Sequence, residues 1–229
     1  QGVLVETYGF KRKYISYFAD IKIDGKTRTK YETSVVCIKG ELPAVYNRTN
    51  IFKTKSSYLE LNIDFTRCLT SQMRYREIRR EAKQDGYAVE FVIEFLPPLK
   101  ANEEAEYGFY DSYYHCMHLQ EAVSGDRWEK EYFQIVYPTD LLKMKLFLPE
   151  NYFVKNRFNV YAGSLANIHE EEIIRLKKEG CFKIKKNYNR LEMSLEVKKP
   201  KLGFIYAIEW ELPSLEEYNR ILKRGGYEC

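Results

Sequence analysis

No apolar run in this chain approaches the ~18–20 residues that a membrane-crossing helix requires. No secretory leader pattern opens it either. Glycine (12) and proline (7) are sparse among 229 residues, which excludes collagen-like and low-complexity chains. The five cysteines, Cys37, Cys68, Cys116, Cys181 and Cys229, are odd in number, scattered, and form no CxxC pair. A secreted disulfide framework has an even count at tighter spacing, so reduced thiols in a cytoplasmic protein are expected. There is no GxSxG elbow, HExxH, P-loop or GxGxxG, so nothing points to a nucleotide-dependent enzyme or calls for a cofactor. Neither sign of charge dominates: 37 basic against 33 acidic residues leave a net +4. That permits a basic patch without demanding a polyanionic partner.

Aromatic residues are plentiful instead. Twenty tyrosines and thirteen phenylalanines can fill a substantial core, which excludes disorder. They sit in period-two alternation, the pattern of half-buried strands. Residues 14–23, 30–39, 58–65 and 87–96 read as strands in the first half, and 131–138, 142–149, 157–163, 181–186, 190–199 and 203–212 in the second. Asp24-Gly25 is a turn dipeptide that makes a hairpin of the first two. Three helices are expected. The first spans 71–84 and stops at Asp85-Gly86. The second spans 167–179, with Asn167 as N-cap and Gly180 at C′. The third spans 215–224, opened by the capping box Ser214-Leu-Glu-Glu217.

The two halves resemble each other. Each runs strand, charged helix, strand ending in proline (Pro97; Pro200), polar gap, then an aromatic strand near Tyr107 or Tyr206. That order predicts an internal duplication and a mainly β fold. The expected architecture is two tandem antiparallel β-sandwiches, residues 1–120 and 121–229, each with one short helix and with a further C-terminal helix. The chain begins at Gln1-Gly2 rather than methionine, as a segment of a longer protein would.

Candidate chemistry is thin. His115-Cys116-Met117-His118 has metal-ligating types, yet in extended chain its histidines point to opposite faces, and no metal is expected. Glu196-Val-Lys198 has the end of a nuclease-type metal motif but no upstream aspartate partner between Asp140 and Glu196. No cysteine is singled out as a nucleophile, and no catalytic residue is assigned. In the predicted 71–84 helix, Arg76, Arg79, Arg80 and Lys83 share one face and could contact phosphates or an acidic partner, although Glu77 and Glu81 interleave. Tyr107, Tyr206 and Trp210 are candidate binding anchors if exposed and core residues if not.

The segment EVKKPKLGFIYAIEWELP (196–213) resembles the closing strands of β-rich accessory modules found C-terminal to effector domains in bacterial immune proteins. The resemblance implies a non-catalytic sensor or assembly module in antiviral defence, with a partner protein or a fused effector domain. It carries over no functional residue. Nucleic-acid binding or nuclease action through residues 74–83 is the alternative expectation.

Overall fold

Alternation of apolar and polar side chains gives thirteen strands among the described residues. The computed structural model describes residues 8–22, 26–52, 62–83, 86–114, 128–150, 158–164 and 166–225. The first half contributes β1 (Phe10–Ile21), β2 (Lys26–Cys37), β3 (Glu41–Phe52), β4 (Asn62–Cys68), β5 (Gln72–Lys83), β6 (Gly86–Lys100) and β7 (Glu104–Tyr114). The second contributes β8 (Trp128–Gln134), β9 (Leu141–Phe147), β10 (Phe158–Gly163), β11 (Phe182–Asn187), β12 (Arg190–Lys198) and β13 (Ile205–Glu211). Helices α1 (Glu170–Lys178) and α2 (Leu215–Gly225) complete the described elements. The fold is mainly β, as expected.

The strands form three sheets. Sheet A has seven strands in the order β11-β12-β9-β1-β2-β7-β4, sheet B is β3-β6-β5, and sheet C is β10-β13-β8. Sheet A is shared by both halves of the chain, because β1 pairs in parallel with β9 from Ile15↔Leu142 to Asp20↔Phe147. The expected boundary at 120/121 thus runs through a common sheet.

Sheets B and C lie over the same face of sheet A. Side chains two apart on a strand share a face, and β2 shows where they go. Tyr31 belongs to the core under sheet C, while Val35 and Cys37, on the same face, belong to the core under sheet B. A chain of rings joins the layers. Phe133 of sheet C stacks on Tyr31 at 5.6 Å, Tyr31 on Phe109 at 4.5 Å, and Phe109 meets Phe91 of sheet B edge-on at 5.6 Å. Such pairs add about 0.5–1.5 kcal/mol each beyond their area burial. Burial pushes the Tyr31 hydroxyl up to about 12, against the opposing pull of Arg12. No described element covers the opposite face of sheet A.

The junction of the two cores is held by Arg12, which is 3% exposed. Its guanidinium donates to Thr33 Oγ1 (3.0 Å), Tyr107 Oη (3.2 Å) and Asn47 Oδ1 (3.2 Å). It also lies 5.5 Å from the Tyr137 ring centre. Asn47 belongs to β3, so one side chain ties sheet A to sheet B. Its backbone ties in the segment before β9: Arg12 N–H donates to Pro138 O, and Asp140 N–H to Arg12 O. The β1–β2 register shifts between Arg12 and Tyr14, the bulge that frees Arg12 for this arrangement.

Two strands differ from the sequence expectation. The predicted helix over 71–84 is β5, paired with β6 from Gln72↔Leu96 to Lys83↔Gly86. Its arginines, glutamates and methionine favour helix locally, but pairing to the buried β6 overrides that preference. Strand β3 carries no clean alternation, because Pro43 and the polar Asn47-Arg48-Thr49-Asn50 interrupt it. Pro43 sits where the β3–β6 register shifts, between Leu42 and Ala44, a place where a strand tolerates a missing N–H. The other two helices form. Glu217 N–H donates to Ser214 Oγ and Ser214 N–H to Glu217 Oε2, completing the predicted capping box. Gly180 takes φ +64° after α1, as a C′ glycine does, while His169 rather than Asn167 holds the N-cap position.

Asn47→Leu removes the acceptor that Arg12 and Tyr107 share. It leaves a buried cation short of a partner and should cost about 3–5 kcal/mol. Tyr107→Phe also takes an acceptor from Arg12, but the same nitrogen keeps Thr33 and the Arg12–Asn47 bond stays, so it should cost less, about 1–2 kcal/mol. Urea midpoints of the two variants check this; equal losses would show that the shared acceptor does not hold the junction.

Candidate functional site

The predicted basic stripe lies on a strand, and the strand splits it. Register with β6 places Arg76, Arg79 and Lys83 on the outer face of sheet B, together with Arg74 and Arg48. Arg80 turns to the other side, where it pairs with Glu77 at 2.9 Å and lies 5.8 Å from the Tyr87 ring centre. The reason is geometric: helical spacing gathers residues three and four apart, while a strand gathers those two apart and the bulge between Glu77 and Arg79 adds one step. Most of the outer charge is returned locally. Glu94 takes Arg76 at 2.6 Å and Arg74 at 3.9 Å. Glu81 and Glu90 take Arg48 at 3.5 and 3.7 Å, and Glu81 also takes Lys83 at 3.6 Å. Tyr46, 40% exposed, lies in the row of Arg76 across Val92.

The three proposed aromatic anchors are not exposed. Tyr107 and Trp210 are 1% exposed and Tyr206 is fully buried. Tyr107 serves the Arg12 junction. Trp210 fills the core under sheet C. Tyr206 donates to Glu172 Oε1 at 2.9 Å and accepts from Lys201 N–H at 2.8 Å. All three occupy inward positions of their strands, which alternation alone could not distinguish from outward ones. The sequence 115–118 lies outside the described residues. Glu196 and Lys198 are exposed on β12, in register with Lys143 and Leu141. Among the described residues no group of three or more His, Cys, Asp or Glu side chains is placed to hold a metal ion, and Cys37, Cys68 and Cys181 are unbridged.

Glu172 is the centre of the densest polar cluster. It is 1% exposed on α1 and receives Arg175 at 2.6 Å, Lys201 at 3.1 Å and the Tyr206 hydroxyl. Burial would raise its carboxyl, but the hydrogen bonds from Arg175, Lys201 and Tyr206 outweigh it and hold the group down at about 2. The same burial, with Glu172 beside it, pushes the Tyr206 hydroxyl well above the ordinary phenol range. Every member is partnered, so the cluster joins α1 to the turn before β13 rather than waiting for a ligand. A hollow of about 180 Å³ beside Arg67, Asn102 and Glu104 is too small for a drug-sized ligand.

Two of the exposed aromatics, Trp128 and Tyr132, lie on the outer face of sheet C. Tyr132 (52% exposed) aligns with Ala207, and Ala207 with Tyr161, so two tyrosines flank a small residue across three strands. Tyr161, half-buried, donates to Ser164 O at 3.1 Å, and Ala207 between the two rings is 1% exposed. Trp128 (42% exposed) stands on the same face of β8, and Val136 (55% exposed) follows the strand. The only sign of this in the sequence is the alternation Trp128-x-Lys130-x-Tyr132, which marks one face of β8 without saying that it is the outer one.

No family model and no curated protein matches this sequence. Solved structures give partial matches. A candidate protease from Parabacteroides distasonis is 10% identical, with a TM-score of 0.48, covering 88% of this chain and 40% of that one. An M1 zinc metallopeptidase from Deinococcus radiodurans is 8% identical, with a TM-score of 0.41, covering 87% of this chain and 42% of its own. The chain thus spans about two fifths of the length of these structures. At these scores the likeness says nothing of activity.

Glu172 supplies a pH test. Its carboxyl is lower in the folded state than in the unfolded chain, so its contribution is complete above the ordinary carboxylate pKa and is lost as pH falls towards 2. Glu172→Gln should lower the melting temperature at neutral pH, and the gap from the parent chain should close between about pH 5 and pH 2. A gap that stays constant over that window would show that the lost interactions are not those of the ionised carboxylate.

Proposed function

We propose that this chain is a non-catalytic binding module that serves in sensing or assembly by holding a partner protein, or a fused domain, against the outer face of sheet C. The observation that carries this reading is the Tyr132–Ala207–Tyr161 row with Trp128 beside it. Large, rigid rings exposed on a sheet face are the usual anchors of protein contacts, since they desolvate much area at little entropic cost. The partner it fits is one offering apolar side chains to these rings. Lys130 and the half-buried Glu209 beside Asn159 would provide polar contacts at the rim.

Binding of nucleic acid through β5 is less well supported, because Arg48, Arg74, Arg76 and Lys83 already have carboxylates.

A photo-crosslinking amino acid at position 132, incorporated in the native host, identifies the occupant. The purified occupant should then bind the chain with an affinity that changes little with salt. Tyr132→Ala with Trp128→Ala should weaken it by about 2 kcal/mol or more, roughly thirtyfold. Arg74→Glu with Arg79→Glu should leave it unchanged. Affinity that collapses with salt, or that is lost only in the arginine variant, would overturn the assignment.

A further inference from the structure

On the face of sheet A that no described element covers, one half is rich in cations and carries Phe18, Phe147 and Tyr110. One row crosses six strands in register: Lys183, Ser194, Lys145, Phe18, Lys30 and Tyr110. Adjacent strands are about 4.8 Å apart, so the three lysines recur at roughly 10 Å with a ring between or beside them. The neighbouring row adds Lys185, Phe147 and Arg28, and Arg190 stands next to it. Against these six cations this half holds two carboxylates. Glu192 takes Lys145 at 3.3 Å, and Asp20 takes Arg190 at 2.5 Å. The other half mixes its signs, with Lys143, Lys198 and Arg67 beside Glu32, Glu106, Glu196 and Asp64. The excess of cations therefore lies in the first half.

The rings are open to contact. Tyr110 is 47% exposed. Phe18 is half-buried and meets Phe147 at 5.6 Å with the rings tilted by 59°, and Arg190 lies 5.5 Å from the Phe147 ring centre. Lys183 and Lys185 are exposed and have no ion-pair partner among the described residues. Lys30 reaches Glu32 at 2.8 Å, on the boundary between the halves.

We infer that the basic half of this face binds single-stranded nucleic acid across the strands. Lys183 and Lys185 would meet phosphates directly, Lys30 and Lys145 would turn to them from Glu32 and Glu192, and Phe18 and Tyr110 would stack on bases. Flat rings on an open sheet with cations between them suit unpaired bases, whose faces are free to stack; a duplex hides them. An acidic peptide would match the charge but has no use for the rings. This inference does not rest on the aromatic row of sheet C, which lies on a separate sheet, so either can fail without the other.

Fluorescence anisotropy of the whole 229-residue chain with labelled oligouridylate and oligodeoxythymidylate of about 15 nucleotides tests it. Binding is expected at about 50 mM salt, with log K falling against log salt at a slope of about −2 to −3, as three or four phosphate contacts on a single strand require. Lys30→Glu with Lys145→Glu and Lys183→Glu should weaken binding at least about tenfold. The corresponding lysine-to-glutamine triple should do so less and serves if the first variant misfolds, as judged by circular dichroism. Phe18→Ala with Tyr110→Ala should weaken binding about threefold or more at an unchanged salt slope, the signature of stacking. Tighter binding of the uridylate would assign the face to RNA, and of the thymidylate to DNA. The inference is overturned if the folded chain binds neither oligomer, if a polyglutamate peptide binds as well as they do, or if Arg74→Glu with Arg79→Glu abolishes binding and the lysine variants do not.

Discussion

A guanidinium buried without a carboxylate is the constraint around which this molecule is arranged. Arg12 sits where sheet A, sheet B and the segment before β9 converge, and it is held by a threonine, a tyrosine, an asparagine and an aromatic ring. A buried cation is tolerated only when its donors are satisfied. The geometry of three segments must therefore agree to within hydrogen-bond tolerance before the charge can be enclosed. The parallel β1–β9 pairing begins beside this point, so the joining of the two halves and the seating of sheet B depend on the same side chain.

From that junction follows the division of sheet A into a closed face and an open one. Two three-stranded sheets share the closed face, and the ring chain from Phe133 to Phe91 makes their cores continuous across Tyr31 and Phe109. The open face is polar enough to remain in water, which a sheet of mostly antiparallel pairs permits. Its excess of cations nevertheless lies in one half. The polar clusters inside the protein are different in kind: the Arg12 and Glu172 groups are internally satisfied and rigidify the fold, whereas surface charges and rings without such closure remain available for recognition.

The alternation of β1, β2, β6, β7, β9, β10, β12 and β13 was readable because each buries one face in a core, and burial demands a period of two. The capping box at Ser214 and the C′ glycine at 180 were readable because they depend on neighbours within four residues. Strand β5 was not. Its composition favours helix, and only the presence of β6 alongside makes it a strand. The site residues failed for the related reason that periodicity reports two faces and never which is inward. Tyr107, Tyr206 and Trp210 face the cores, while Trp128, Tyr132 and Tyr110 face out.

The amino-acid sequence by itself therefore determined the mainly β class, most strand positions and the local signals that stop and start helices, all of which are short-range consequences of burial and capping. Tertiary structure alone decided that both halves share one sheet, that Arg12 would be enclosed, and which aromatic rings would meet water. Those outcomes come from pairing between segments far apart in the chain, where the energy of a position depends on what lies opposite rather than on what lies beside it in sequence.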